Sequence, residues 1–285
     1  ILASIYLTMI KLKGEWRIED PQKLDWKGAL LLCLWLLTLF IGVTNLPEFY
    51  ALGLLLASGV LAFLFMRHSN QVKFPIVNLR LIWQNSQLSR SLSSSILMYG
   101  ASYGLQFLMG LYLQYNRGYS PTDAGKFLMI QALIMAILAP TAGRLSDRYP
   151  ANLIAGFGCI SVVISFALML LLDNDSHIAI VVIALVFLGA GFGLFSTPNS
   201  NAALQSITAE KLGIVSALIS ISRLLGQLLS TAFITLMMSL YIGTAEIVPS
   251  NYNALLTVFK WTIGVSLVYA VLATYTSMKA TKRSG

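Results

Sequence analysis

The apolar residues of this chain fall in continuous runs and do not alternate with polar ones. Eight such runs stand out, approximately Trp26 to Thr44, Tyr50 to Met66, Leu92 to Leu113, Gly125 to Ala142, Leu153 to Leu172, Ile178 to Thr197, Ile214 to Leu240 and Leu255 to Tyr275. Each is close to the ~20 residues that an α-helix needs to cross a hydrocarbon layer of ~30 Å. A membrane barrel requires period-two patterning, which is absent. With no water to bond the backbone inside a bilayer, these runs predict helices and an all-α integral membrane fold. The opening run, Ile1 to Ile10, is too short to span. It has neither an initiator methionine nor the basic start of a signal peptide. We read it as the end of a preceding helix, and the chain as the C-terminal part of a longer protein.

The polar interruptions set the organisation. Residues 1–25 read as a helix end and a linker. Residues 26–66 form a transmembrane hairpin, since only Asn45 to Phe49 separates its two runs. Residues 67–87 are a polar linker containing Pro75. Residues 88–278 form a six-span block, and residues 279–285 are a tail. Six-span bundles made of two three-span units are common in secondary transporters. No strong internal repeat is evident along the block.

Composition agrees with this pattern. The 285 residues are 57% hydrophobic and only 11% charged, too few charges to keep a soluble domain of this size wet. The net charge of +8 could point to a polyanion. Its placement argues otherwise, because 15 of the 19 basic residues lie in the segments on one side of the predicted spans. Arg117 and Lys126 lie on the other side, and Arg223 and Lys260 within spans. This asymmetry predicts that the basic side, with the C-terminus, is cytoplasmic. The charge then serves topology, and a nucleic-acid partner loses its support. Cys33 and Cys159 sit in apolar runs and suggest no disulfide framework.

Candidate chemistry is sparse. Between the fourth and fifth runs, Gly143 suggests a tight turn. There Asp147 lies between Arg144 and Arg148, which suits a charge-assisted clamp at the ends of adjacent helices. An incidental ion pair in a basic loop reads equally well. Arg223 lies nine residues past Ile214, ~14 Å along a helix. A charge at such depth costs ~2.5–3.5 kcal/mol on insertion scales, so it faces a bundle interior or a water-filled cavity unless it snorkels to the surface. Gln227 flanks it. Tyr103, Gln106, Tyr112 and Gln131 are further polar candidates for a cavity, although each could bond to a neighbouring backbone. Gly189 and Gly193 are four apart, a spacing that lets helices pack closely. Pro198 frees a backbone carbonyl and could form a flexible gate. No catalytic pair, metal-ligand spacing or phosphate-binding loop occurs, so neither an enzyme nor a cofactor is expected. No carboxylate lies deep within a span to carry a proton.

Several motifs in order resemble the C-terminal part of the fourteen-span drug:proton antiporters of the major facilitator superfamily. Tyr112-Leu113-Gln114 followed by Gly118-Tyr119-Ser120-Pro121 is similar to the stretch entering that family's ninth and tenth spans. Ala139-Pro140-Thr141-Ala142-Gly143-Arg144-Leu145-Ser146-Asp147-Arg148 resembles the superfamily's cytoplasmic Gly/Asp/Arg motif. Arg223-Leu224-Leu225-Gly226-Gln227 resembles the thirteenth span, and Leu24-Asp25-Trp26-Lys27-Gly28 the start of the extra hairpin. After Arg148 the chain departs from the family with Tyr149-Pro150-Ala151-Asn152, in place of a glycine and further basic residues.

The resemblance implies a six-helix transport bundle preceded by the extra hairpin, with a further N-terminal six-helix half as partner. It implies proton-coupled efflux of small amphipathic substrates across a bacterial cell membrane. Within it, Arg144, Asp147 and Arg148 would latch the cytoplasmic face, and Arg223 would face the cavity or its gate. Two other readings stay open: a permease for a metabolite such as an organic anion, and a non-transporting membrane subunit.

Overall fold

The computed structural model describes residues 25–72, 75–243 and 247–279. The expected helix end and linker at residues 1–24, and the tail beyond Lys279, lie outside the described residues. The described elements are helical throughout. They comprise α1 (Trp26–Thr44), α2 (Phe49–Gln71), the short α3 (Leu79–Gln84), α4 (Ser86–Leu111), α5 (Pro121–Arg148), α6 (Ala151–Leu170), α7 (Ile178–Leu204), α8 (Leu212–Tyr241) and α9 (Tyr252–Met278). Among these, all except α3 are long and apolar enough to cross a membrane. A π-turn, Tyr112–Asn116, extends α4.

Local chemistry sets the ends. Ser120 caps α5 by accepting from the Asp123 N–H at 3.1 Å, with Pro121 in the first turn. Asn78 and Asn85 cap α3 and α4 in the same way. Helix α5 does not stop at Ala142. It carries Gly143, Arg144, Asp147 and Arg148 as its last turns and ends at Tyr149, whose extended backbone is what a following proline demands. Gly143 is therefore helical, and the turn expected there falls at Tyr149 and Pro150. Apolar runs mark only the hydrocarbon depth, whereas a helix with polar final turns continues into water. The same reason carries α2 past Met66 to Gln71.

Helices α4 to α9 form one bundle. Helix α4 packs on α8 and α9, α5 packs on α7, and α6 packs on α7 and α9. Superposing the triplet α4-α5-α6 on α7-α8-α9 maps these pairings onto one another: α4 with α8 becomes α7 with α5, and α6 with α7 becomes α9 with α4. The bundle is thus two interlocked three-helix repeats. A short sequence echo accompanies them, Gly100-Ala101-Ser102-Tyr103-Gly104-Leu105 in α4 and Gly189-Ala190-Gly191-Phe192-Gly193-Leu194 in α7.

The main core is built from Met98, Leu105, Leu108, Phe166, Phe195 and Phe259, among others. Since lipid tails are as apolar as these side chains, close packing holds the helices together, not water exclusion. A second cluster, including Phe65, Leu88, Leu92, Val215 and Leu218, lies where the α1–α2 hairpin meets the bundle. Trp35 and Phe65 stack across the hairpin at 6.0 Å. Asp25 closes its basic end, accepting from the Gly28 N–H and pairing with His68 Nε2, both at 2.8 Å.

Candidate functional site

The echoed glycines lie where helices cross closely. A Cβ on Gly226 of α8 would stand 2.5 Å from the Ile96 carbonyl oxygen and 2.9 Å from the Gly100 nitrogen of α4. A Cβ on Gly104 would collide with Ile234, and the Gly104 N–H donates to Ser230 Oγ at 3.0 Å. On the other side, a Cβ on Gly189 would meet the Gln131 carbonyl oxygen of α5 at 2.5 Å, and one on Gly193 would meet Leu138 at 3.0 Å. Gly191, between them, faces α6 and lies against Gly158. One five-residue run thus serves two helix partners. Gly143 is different: a Cβ there would meet only Thr197, at an ordinary 3.7 Å.

Beside the α4–α8 crossing opens a cavity of about 410 Å³. Helix α4 contributes Tyr103, Gln106 and Phe107, and α8 contributes Thr231, Ile234 and Thr235. This volume and its mainly apolar wall with a few polar groups suit a small organic molecule. Gln106 is exposed and donates through Nε2 to Gln131 Oε1 of α5 at 3.3 Å, so the amide of a third helix stands beside the cavity. Arg223, Gln227, Thr231 and Thr235 recur every four residues and form one polar stripe along α8. Arg223 and Gln227 were expected in the site; the two threonines were missed, though their spacing was visible.

Arg223 is half-buried between α7 and α4. Its Nη2 donates to Ser200 Oγ of α7 at 2.8 Å, its guanidinium carbon lies 5.5 Å from the centre of the Tyr99 ring of α4, and its buried Nε has no partner among the described residues. Tyr99 and Ser196 share a hydrogen bond of 3.3 Å, and the Tyr99 ring meets Phe192 edge-on at 5.7 Å. Among the described residues no carboxylate pairs with Arg223.

The run around Pro198 acts as a hub. Helix α7 continues through Pro198 to Leu204. Asn199 Nδ2 donates to the Ser91 carbonyl at 3.0 Å and to Ser95 Oγ at 2.9 Å, both on α4. Asn201 Nδ2 donates to Ser146 Oγ of α5 at 2.8 Å. Ser196 to Asn201 therefore bonds to α4, α5 and α8 within two turns. Pro198 was singled out from the sequence, but the polar residues around it, which make the contacts, were not.

Two expectations are corrected. Tyr112 does not line the cavity. It is fully buried, stacks on Phe259 at 4.9 Å and donates to the Asp173 carbonyl at 2.7 Å. A tyrosine at a helix end can bury its ring while its hydroxyl reaches a loop, and its identity alone does not say which surface the ring meets. Nor do Arg144, Asp147 and Arg148 clamp one another. All three are exposed, and among the described residues none forms an ion pair. Ser146, between them, makes the contact to α7 instead.

The family model of the Major Facilitator Superfamily matches residues 28–231, more than two thirds of the chain. The chain belongs to the major facilitator superfamily. It is 30% identical to the riboflavin transporter RibZ of Clostridioides difficile over 68% of this chain and 40% of that protein. It is 24% identical to the drug efflux pump JefA of Mycobacterium tuberculosis over 85% of this chain and 49% of that protein. It is 26% identical to the quinolone resistance protein NorB of Staphylococcus aureus over 79% of this chain and 50% of that protein. The chain thus spans about half the length, or less, of these relatives. Its family is one of membrane transporters, and the interlocked triplets are a form such transporters take.

Proposed function

We propose that this chain forms the C-terminal half of a secondary transporter that exports small amphipathic compounds, often cationic, by proton-coupled alternating access. The observation that carries this reading is the cavity wall of Tyr103, Phe107, Gln106 and Thr231, an aromatic surface with few fixed polar groups. Such a wall accepts varied amphipathic molecules, because apolar contact is not directional and the amides can donate or accept. The names of JefA and NorB point the same way. An N-terminal six-helix half completes the cavity and supplies the proton-binding carboxylate. The basic ends of the helices face the cytoplasm, as their charge bias supports. There the exposed Arg144, Asp147 and Arg148 latch against the other half in one state. The Ser196–Asn201 hub transmits movement between α4, α5 and α8.

The test is efflux of a cationic dye from cells that make the protein carrying this chain. Phe107→Ala and Gln106→Ala are expected to change the dye preference while the protein stays in the membrane. Efflux and preference unchanged in both would remove the cavity from the mechanism.

A second reading rests on Arg223. A cation that has no carboxylate partner among the described residues, and whose buried Nε has none there either, suits an anionic or acceptor-rich substrate. Competition separates the two: organic anions slow the dye only if they share its site.

A further inference from the structure

A second cavity, of about 310 Å³, lies where the hairpin meets the bundle. Trp35 of α1, Phe65 of α2, Ile82 and Trp83 of α3, Leu92 of α4 and Leu218 of α8 contribute to its wall. Aliphatic and aromatic side chains dominate, with serine hydroxyls and two indole N–H groups as the polar side-chain groups of the wall. Trp83 is 82% exposed, as expected of an interfacial anchor on a short helix beside the membrane surface.

The chain segment beside it carries one sign of charge. Residues 67–90 contain Arg67, Lys73, Arg80 and Arg90 and no acidic residue. Arg67 directly follows Met66, and Arg80 directly follows Leu79, and both Met66 and Leu79 line the cavity. Arg67 and Arg80 are exposed and form no ion pair among the described residues. Arg90 is engaged, donating to the Lys279 carbonyl at 2.7 Å. The Asp25 carboxylate is occupied by His68. The slot is therefore apolar inside, with the exposed Arg67 and Arg80 next in sequence to two of its wall residues, at the end of the helices where a leaflet meets water.

We propose that this cavity holds an acyl chain of an anionic phospholipid, whose phosphate is bound by Arg67 and Arg80. A guanidinium fits a phosphate through paired N–H donors, and basic side chains near an anionic surface each contribute about 1 kcal/mol, a fivefold preference. A zwitterionic lipid fills the slot equally well but gains little at the rim, and a cationic amphiphile is repelled there. The lipid then acts as mortar between the hairpin and α4 and α8. This site is separate from the α4–α8 cavity and does not depend on which substrate is carried.

The test uses the full chain in nanodiscs of equal phosphatidylglycerol and phosphatidylcholine. Native mass spectrometry after mild extraction reads which lipid stays bound. Retention of phosphatidylglycerol is expected to exceed that of phosphatidylcholine at least fivefold, and R67Q/R80Q is expected to abolish the preference. In a chain whose Trp16, Trp26 and Trp261 are replaced by Phe, a spin-labelled acyl chain on phosphatidylglycerol is expected to quench Trp35 and Trp83. Ser93→Trp would fill the slot and displace the lipid without touching the arginines. Equal retention of both lipids overturns the proposal, as does a preference that survives R67Q/R80Q. Absence of quenching by either lipid also overturns it, since a protein segment would then occupy the slot.

Discussion

Arg223 of α8 donates to Ser200 of α7 at 2.8 Å, a bond within the second repeat, and its guanidinium reaches the Tyr99 ring of α4 in the first. Its energy comes from two sources, a charge-assisted hydrogen bond of ~1.5–3 kcal/mol and a cation–π contact of ~0.5–2 kcal/mol. Lysine keeps the charge but not the planar fork. Arg223→Ala is therefore expected to lower transport at least tenfold, with Arg223→Lys only partly restoring it, and Ser200→Ala to cost less. Transport rates in proteoliposomes measure this. Wild-type rates in Arg223→Ala would show that the arginine serves topology alone.

The glycine contacts predict a graded stability series. Gly226→Leu and Gly189→Leu drive side chains into neighbouring backbone and are expected to cost ~1–3 kcal/mol or more, lowering the melting temperature in detergent. Gly143→Ala adds a methyl group where the nearest atom is 3.7 Å away and gains helix propensity, so it is expected to be neutral or mildly stabilising. Equal effects at all three positions would contradict the packing described.

Asp147 and Asn201 are expected to separate stability from conformation. Asn201→Ala removes the tie to Ser146 and is expected to cost ~0.6–1.7 kcal/mol, the range for hydrogen bonds between membrane helices. Asp147→Asn breaks no bond here, so its melting temperature is expected to match wild type. Its effect is expected on the balance of inward and outward states, read from spin-label distances in the whole transporter. An unaltered distance distribution in Asp147→Asn would dismiss the latch.

The hairpin closure has a pH dependence of known sign. Burial pushes the Asp25 carboxyl upward, but hydrogen bonds from His68 and the Gly28 N–H outweigh it and hold the group below its ordinary value of 3.8. A carboxyl depressed in the folded state stabilises it at all pH values above the unfolded value. That contribution is lost as pH falls through the depressed value. Protection against hydrogen exchange at the start of α1, taken relative to the intrinsic rate at each pH, is expected to hold down to about pH 4 and to fall below it. Asp25→Asn is expected to exchange faster throughout and to lack that step.

The membrane spans were legible because hydrocarbon imposes one strong requirement, a continuous apolar run, and all eight runs became helices. Arg223 was legible for the converse reason, since a buried charge is expensive and conspicuous. Helix ends in water were not, as α5 shows: no apolar signal marks its last turns. Tyr112 and Gln131 were named together, but which helix face each occupies depends on partners far along the chain. The repeat was not legible, because its sequence trace is only the short glycine echo at Gly100–Leu105 and Gly189–Leu194. It becomes evident only when the pairings α4 with α8 and α7 with α5 are compared.

That exchange of partners has a consequence for how the molecule is made. Helix α4 leaves the ribosome more than a hundred residues before α8, which covers its glycine stripe. Neither triplet can close on itself, so early helices wait in the lipid with a notched surface unfilled. Assembly of the bundle is therefore a late event. A polypeptide released before α8 and α9 are complete offers quality-control proteases an open seam along α4.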